Sequence, residues 1–290
     1  MPDGGHTDHA ADETALRWRD GGPPGVRQQI AAVWRERRQL PLLMQLAVTQ
    51  IHARTFLGAT WLAIRPLVTI TVAILVVRDV LGVSTAPVPF AAFAAASMVL
   101  WMAFQRGLIH TTRSLVRARR LLKRFPVPRL AVIVSGLAPA GIETGVTALA
   151  AILILSHAAA TGHPVPLGWH TLLLLPCLAL VVVLVLSLAL GAAILTILVP
   201  DTWHVLRYGI GVVLVASPVY YPLAAVPEGY QALMLANPLT PILETARWAL
   251  FQTGTAPWGA LALATLTIGV LALTALGLFA RWEEFAVDRL

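Results

Sequence analysis

Six long apolar segments dominate the sequence and limit what the chain can fold into. They cover about 61–81, 90–110, 131–156, 171–199, 204–222 and 257–280. A helix needs about 20 apolar residues to cross the hydrocarbon core of a bilayer, and only the fifth segment, which Pro218 and Pro222 interrupt, is weak by this measure. We therefore predict an all-α integral membrane protein with six transmembrane helices.

The composition agrees with this class. Hydrophobic residues make up 58% of the chain and charged residues only 12%, with a mean hydropathy of +0.76, whereas soluble domains carry roughly 25% charged residues. The single cysteine, Cys177, excludes a disulfide framework and a cysteine-based metal site. His157, His163 and His170 have no cysteine or carboxylate near them and match no usual metal spacing. We predict no metal and no cofactor.

Basic residues alternate between the loops and predict an orientation. Five arginines lie within 27–57, just before the first apolar segment, and seven basic residues occupy 111–130, whereas the loops at 82–89 and 157–170 contain no Lys or Arg. Because cytoplasmic loops are enriched in Lys and Arg, we expect both termini and the 111–130 loop to face the cytoplasm. Residues 1–26 are expected to form a disordered tail, 27–57 a cytoplasmic amphipathic helix at the interface, and 58–290 the six-span domain.

The basic loop has a helical pattern of its own. Arg113, Arg117, Arg120 and Arg124 share one face at 100° per residue, and a second face is apolar. That apolar face consists of Leu115, Ala118, Leu122 and Phe125, after which Pro126 and Pro128 end the helix. The pattern allows an interfacial helix on anionic lipid or a docking helix for a cytoplasmic partner. No nucleic-acid-binding fold surrounds the loop, so nucleic acid is not an expected partner.

A proline-rich stretch follows the fifth segment. Five prolines lie within residues 218–241 of an otherwise apolar region. Because irregular backbone at membrane depth must be buried in protein or line a cavity, we predict two short re-entrant outer helices, at about 228–235 and 240–252. A hydrophobic cap on the outer ends of the spans is the alternative.

Four stretches carry a resemblance to a known family. They are "RTFLGATWLAIRPLV" (54–68), "LLKRFPVPRLAVIVSGL" (121–137), "SPVYYPLAAVPEGYQALMLANPLTPILETARWALF" (217–251) and "RWEEFAVDRL" (281–290). In order and spacing they resemble ABC-2 type permeases that export polysaccharides, the group that includes O-antigen, capsule, teichoic acid and galactan exporters.

This resemblance implies a channel made by two copies of the chain in the bacterial plasma membrane, each copy paired with a separate ATPase subunit. It also implies that the basic segment rests on that ATPase. The implied coupling residues are Arg113, Arg117, Arg120, Lys123, Arg124, Phe125, Pro126 and Arg129. The sequence contains no G-x-x-x-x-G-K-[ST] loop, so we expect a transport subunit that does not itself hydrolyse ATP, with a lipid-linked glycan as its substrate.

Candidate channel or gate residues are the charges and aromatic rings within or beside the apolar segments. Glu143 lies inside the third segment, where Gly141 and Gly145 are expected to let another helix approach; it is either a paired structural carboxyl or part of the substrate path. Arg65 either snorkels to the headgroups or meets a pyrophosphate. Tyr220 and Tyr221 stand beside the proline-rich stretch as candidates for a glycan path.

Two other functions are compatible with the sequence. One is an ABC-2 exporter of a drug or small lipid. The other is a membrane glycosyltransferase that uses a polyprenyl phosphate, which would require carboxylates or histidines clustered at one membrane face. The largest acidic group, Glu283, Glu284 and Asp288, lies at the end of the sequence and is better explained as a solvated tail.

Overall fold

The computed structural model describes residues 26–52, 60–125, 127–163, 165–166 and 168–287, and every regular element among them is helical. Five helical stretches there are long and apolar enough to cross a membrane. They are Thr60–Val80, Phe90–Thr112, Arg129–Ala160, Trp169–Leu198 and Trp258–Glu283. The all-α prediction is confirmed for these residues, and the five stretches coincide with the first four and the last of the predicted spans.

Two helices occupy the region where one amphipathic helix was predicted. Helix α1 covers Val26–Arg35 and α2 covers Leu40–His52, with a turn between them. In that turn the Gln39 backbone N–H donates to the Glu36 carbonyl at 2.8 Å. The change of direction allows Leu43 to reach the core, where it is 6% exposed. Of the tail predicted at 1–26, Val26 begins α1, and residues 1–25 lie outside the described residues, as do residues 53–57.

Helix α4, Phe90–Thr112, is the centre of the molecule. Within its apolar stretch 78% is buried by the rest of the chain, against 13% for Thr60–Val80 and 11% for Trp258–Glu283. Its first turns are rich in alanine, and Ala94 and Ala95 are fully buried. Small side chains let neighbouring helices approach closely. Helix α3, Thr60–Ala73, continues as a π-helical turn over Ile74–Val80 and lies at the edge of the bundle.

Short helices follow the end of α4. Helices α5, Ser114–Arg117, and α6, Arg119–Leu122, precede α7, Arg129–Ser135, and α8, Leu137–Ala160. Gly162, with a φ of 93°, ends α8 in a conformation that suits glycine.

The second half contains two long helices and three short ones. Helix α9, Leu174–Leu198, is preceded by a 3₁₀ turn and followed by α10, Thr202–Val215; α11 is Glu228–Ala236, α12 is Leu239–Phe251 and α13 is Trp258–Val287. At 14 residues α10 is about 21 Å long, shorter than a bilayer core. The fifth predicted span, 204–222, therefore extends seven residues beyond the helix end. The two helices predicted near 228–235 and 240–252 are present as α11 and α12.

The long helices pack in the order α13, α9, α4, α8 and α3, with α12 against α4, α9 and α13. Helices α1 and α2 pack on α7 at one end of the bundle. We call this the basic end, because α4 finishes there and residues 113–129 follow. The proline-rich end is the opposite one, where α4 begins and residues 216–241 lie.

Candidate functional site

The basic segment, residues 113–125, is broken rather than a single helix. The backbone leaves the helical conformation at Arg113 and Ala118, where ψ is 1° and 7°, so that α5 and α6 are four residues each. The prediction of one continuous helix was wrong. The breaks turn individual side chains toward the bundle, and the four arginines of the predicted stripe do not share an environment.

The apolar face of the segment is used within the chain itself. Leu115 is 1% exposed and joins a core with Leu130, Leu190 and Phe279, against which Ala118 and Leu122 pack. Phe125 stands apart from this core and is 57% exposed. One aromatic side chain at the end of the segment is therefore left for contact outside the chain.

Two of the arginines attach the basic segment to α10 and α4. Arg113 stacks over the Trp203 ring of α10, 4.8 Å from its centroid. Arg117 is turned inward, and its guanidinium donates to the backbone carbonyl of His110 in the last turn of α4. Burial, together with the nearby Arg113, lowers the pKa of Arg117 to about 10. Arg120 and Arg124, by contrast, are exposed, as is Lys123.

A cavity of about 40 Å³ lies beside Arg117. It lies between α2, the basic segment and α7, with leucine, valine and alanine side chains on most of its wall. We call it the Arg117 cavity. Leu46 and Gln50 of α2 stand at its exposed edge.

A buried ion cluster joins α4 to α8 at the basic end. The Glu143 carboxylate forms an ion pair with Arg106, whose Nε lies 2.9 Å away, and it lies 3.0 Å from His110 Nε2. The side chains of Glu143 and His110 are 8% and 7% exposed, and that of Arg106 is 20% exposed. Arg106 and His110 are four residues apart and thus share one face of α4. We call these three residues the Glu143 cluster. Its arrangement favours the paired structural carboxyl among the two predicted alternatives.

Close approach of α4 and α8 depends on Gly136, not on the glycines beside Glu143. A Cβ at Gly136 would lie 2.7 Å from Thr111 Cα, which is a backbone atom and cannot move aside. Within the described residues, nothing lies within 4 Å of a Cβ built at Gly141 or Gly145. The expectation that these two glycines admit a neighbouring helix is not met within this chain.

A second ion cluster lies at the proline-rich end. Arg247 of α12 is 4% exposed; it donates to Ser97 Oγ of α4 at 2.9 Å and to the Pro218 carbonyl at 2.5 Å, and it pairs with Glu244. Its guanidinium also lies over the Phe93 ring, 4.4 Å from the centroid. The Glu244 carboxylate accepts from the Leu223 backbone N–H at 3.1 Å. We call Ser97, Pro218, Glu244 and Arg247 the Arg247 cluster. It holds the chain after α10 against α4 and α12.

The remaining predicted residues are dispersed. Tyr220 is partly buried, and its hydroxyl donates to the Met98 thioether at 3.3 Å, while the Tyr221 hydroxyl donates to the Val215 carbonyl at 2.5 Å. Arg129 begins α7 and is partly buried. Arg65 lies on α3, but its side chain is outside the described residues, as is Pro126.

The histidines of the loop after α8 do not form a metal site. His170 Nδ1 lies 2.8 Å from the Ala249 carbonyl, so this ring secures the loop to α12. The His170, Trp248 and Trp258 rings follow one another edge to face. Among the described residues, no three His, Cys, Asp or Glu side chains are placed to hold a metal ion.

No protein-family model and no curated protein sequence matches this chain.

Four partners in these clusters were missed by sequence reasoning. Arg106 and His110 were taken as part of an apolar span, and Glu244 and Arg247 as part of the re-entrant helix predicted at about 240–252. A signal was present in both cases, since the residues are spaced by four and by three and so share a helix face. Averaging hydropathy over a window of about 19 residues hides such pairs.

Proposed function

We propose that this chain is the membrane-spanning permease subunit of an ATP-driven exporter of lipid-linked polysaccharide. The observation that carries the proposal is the exposed Phe125 at the end of a short basic segment whose other apolar side chains are buried. A large exposed aromatic ring beside a fixed, charged segment suits an anchor for a protein cleft.

A fixed attachment to the bundle supports the docking role. Arg117 ties the segment to the last turn of α4, and Arg113 ties it to α10. A force applied at Phe125 would therefore reach two helices of the bundle. The partner in this proposal is a separate ATPase subunit, because the sequence has no phosphate-binding loop of its own.

In this proposal α10 and residues 216–222 together make a sixth crossing, and α11 and α12 are re-entrant helices on the outer side. This assignment is supported by hydrogen bonds between side chains and the irregular backbone. Arg247 and Asn237 donate to the carbonyls of Pro218 and Ala216, and Glu244 accepts from the Leu223 N–H. Satisfied backbone groups are what irregular structure at membrane depth requires.

We further propose that the chain works as a pair of copies in a bacterial plasma membrane, with both termini cytoplasmic. The alternating basic and uncharged loops support the orientation. A second copy has room at the bundle edges, where α13 and the π-helical turn after α3 present large exposed apolar side chains such as Leu75, Val80, Leu266 and Leu273. The channel between the copies is the proposed path of the lipid-linked glycan.

Glu143 in this scheme holds α4 and α8 together rather than meeting the substrate, because Arg106 and His110 already occupy its carboxylate. Arg65 is proposed to meet the substrate pyrophosphate at the channel entrance, since arginine suits phosphate geometry. Tyr220 and Tyr221 are proposed to position the proline-rich end beside the glycan path.

The test is Phe125→Ala in the reconstituted complex with the ATPase subunit. Losing a well-packed phenylalanine costs about 3–5 kcal/mol, so we expect ATP hydrolysis to become uncoupled from export while insertion is normal. The matched control is Phe285→Ala, which removes another exposed ring and should leave coupling intact. If Phe125→Ala behaves as wild type while Arg120→Gln with Arg124→Gln abolishes export, the segment is a lipid anchor and the docking proposal is wrong.

A further inference from the structure

We propose that the Arg117 cavity is a binding site for an anionic phospholipid, with the lipid phosphate held by Arg117. This inference concerns a ligand of the chain itself and does not depend on what the chain exports.

The charge of the Arg117 guanidinium is not compensated by an anion among the described residues. Arg117 is turned into the protein, and no carboxylate in the described part of the chain forms an ion pair with its guanidinium. Burial, and to a smaller extent the nearby Arg113, lowers the pKa of Arg117 to about 10, so Arg117 remains charged at neutral pH. A partly buried cation without an anion is costly. An anion in the adjoining cavity would remove this cost.

The cavity also has N–H donors for a phosphate. A guanidinium carries five N–H groups in a planar fork that fits two oxygens of a phosphate. One nitrogen of Arg117 donates to the His110 carbonyl, which fixes the fork in place. The Gln50 amide, on the cavity edge, adds two N–H donors. The cavity volume of about 40 Å³ is space for roughly three water-sized groups, which is enough for the two non-bridging oxygens of a phosphodiester.

The apolar wall of the Arg117 cavity favours a lipid over free phosphate. Leu43, Leu46 and Ala47 of α2 line one side of the cavity, and Leu121 and Val132 line the other. Free phosphate gains nothing from such a wall, whereas the glycerol and first methylenes of a phospholipid bury apolar area against it. Leu46 is 39% exposed, so the cavity is open at the surface where a lipid would enter.

The site differs from general attraction between a basic surface and a membrane. Arg119, Arg120, Lys123 and Arg124 are exposed on the same segment, and each contributes about 1 kcal/mol of nonspecific attraction to anionic lipid. Arg117 alone among the basic side chains of the segment lines the cavity. A lipid there would join α2 to the basic segment and hold both at a fixed position.

The experiment measures lipid-dependent thermal stability of the purified full chain in detergent. Phosphatidylglycerol is titrated against phosphatidylcholine, and inorganic phosphate is titrated separately. We expect a saturable rise in the melting midpoint with phosphatidylglycerol only. Arg117→Gln should raise the half-maximal lipid concentration by about tenfold, as expected for losing a charge-assisted phosphate contact. Arg120→Gln makes the same charge change at an exposed position and should shift it by less than about twofold.

A second pair of variants tests the site if Arg117→Gln does not fold. Leu46→Glu places a carboxylate at the cavity edge and should abolish the phosphatidylglycerol response, whereas Leu46→Gln should retain it. Native mass spectrometry of the same samples should show one retained phosphatidylglycerol per chain for wild type and none for Leu46→Glu.

Three results would overturn the proposal. Equal responses to both lipids would show that no anionic headgroup is bound. An equal response to inorganic phosphate with the same dependence on Arg117 would show a free-phosphate site. Equal losses in Arg117→Gln and Arg120→Gln would show nonspecific surface attraction only.

Discussion

The two ion clusters both include side chains of α4, but they stabilise different kinds of structure. The Glu143 cluster connects α4 to α8, two regular helices whose backbones are already hydrogen-bonded. The Arg247 cluster connects α4 to backbone that is not helical, through the carbonyl of Pro218 and the N–H of Leu223. Removing a charge from the first cluster leaves two packed helices, whereas removing Arg247 also deprives the Pro218 carbonyl of its donor. A buried charged side chain thus contributes most to stability where it hydrogen-bonds to backbone groups that have no partner in regular secondary structure.

The largest effect is expected for Arg247→Met. The change keeps an apolar stem but removes the donors to Ser97 and Pro218 and leaves the Glu244 carboxylate without its cation. Breaking a buried pair by removing one partner costs about 3–5 kcal/mol. Chemical unfolding in detergent should show this loss, and Arg207→Met, at an exposed arginine of α10, should change stability by less than about 0.5 kcal/mol. Equal stabilities would show that the Arg247 cluster is not a structural tie.

A smaller effect is expected for Glu143→Gln. Glutamine retains the shape and one acceptor oxygen, and Arg106 is 20% exposed, so water compensates part of the lost pair. We expect a loss of about 2–3 kcal/mol. In a double-mutant cycle with Arg106→Gln, the two losses should be non-additive by about 0.5–3 kcal/mol. Strict additivity would contradict a direct interaction between the two side chains.

The smallest effect is expected for Gly136→Ala, which tests the approach of α4 and α8 without touching a charge. The new Cβ would lie 2.7 Å from Thr111 Cα, and overpacking of this kind costs about 1–2 kcal/mol. Gly141→Ala is the matched control, because its Cβ meets nothing within 4 Å; it should be neutral or slightly stabilising, since alanine favours helix. A stability of Gly136→Ala at or above that of Gly141→Ala would show that the helices adjust freely.

Sequence patterns predicted where the helices lie far better than how they are joined. The spans expected at 90–110 and 171–199 are Phe90–Thr112 and Trp169–Leu198, because long apolar runs leave few alternatives. Periodicity also marked a helical face around Leu115, but it could not predict the breaks at Arg113 and Ala118. Those breaks coincide with contacts of the Arg113 and Arg117 side chains to the Trp203 ring and the His110 carbonyl, and local propensity does not include such contacts.

The candidate site was predictable only in part for the same reason. Glu143 was identified because a carboxylate inside an apolar run is conspicuous, yet its partners lie 33 and 37 residues earlier in the chain. Arg117 was expected on an outward face with Arg113 and Arg120. Its inward position depends on an acceptor, the His110 carbonyl, that every residue carries and that no sequence pattern marks.

The separation of partners along the chain also sets an order in which the clusters can be completed during synthesis. Arg106 and Glu143 come from successive long helices, so their pair can close as soon as one hairpin has been made, before α9 exists. Ser97 and Arg247 are 150 residues apart, and the second cluster must wait until α12 emerges from the ribosome. Arg247 emerges together with Glu244, which lies three positions away on the same helical face. The arginine therefore arrives already neutralised, and a helix without net charge can enter an apolar environment before its distant partners are reached.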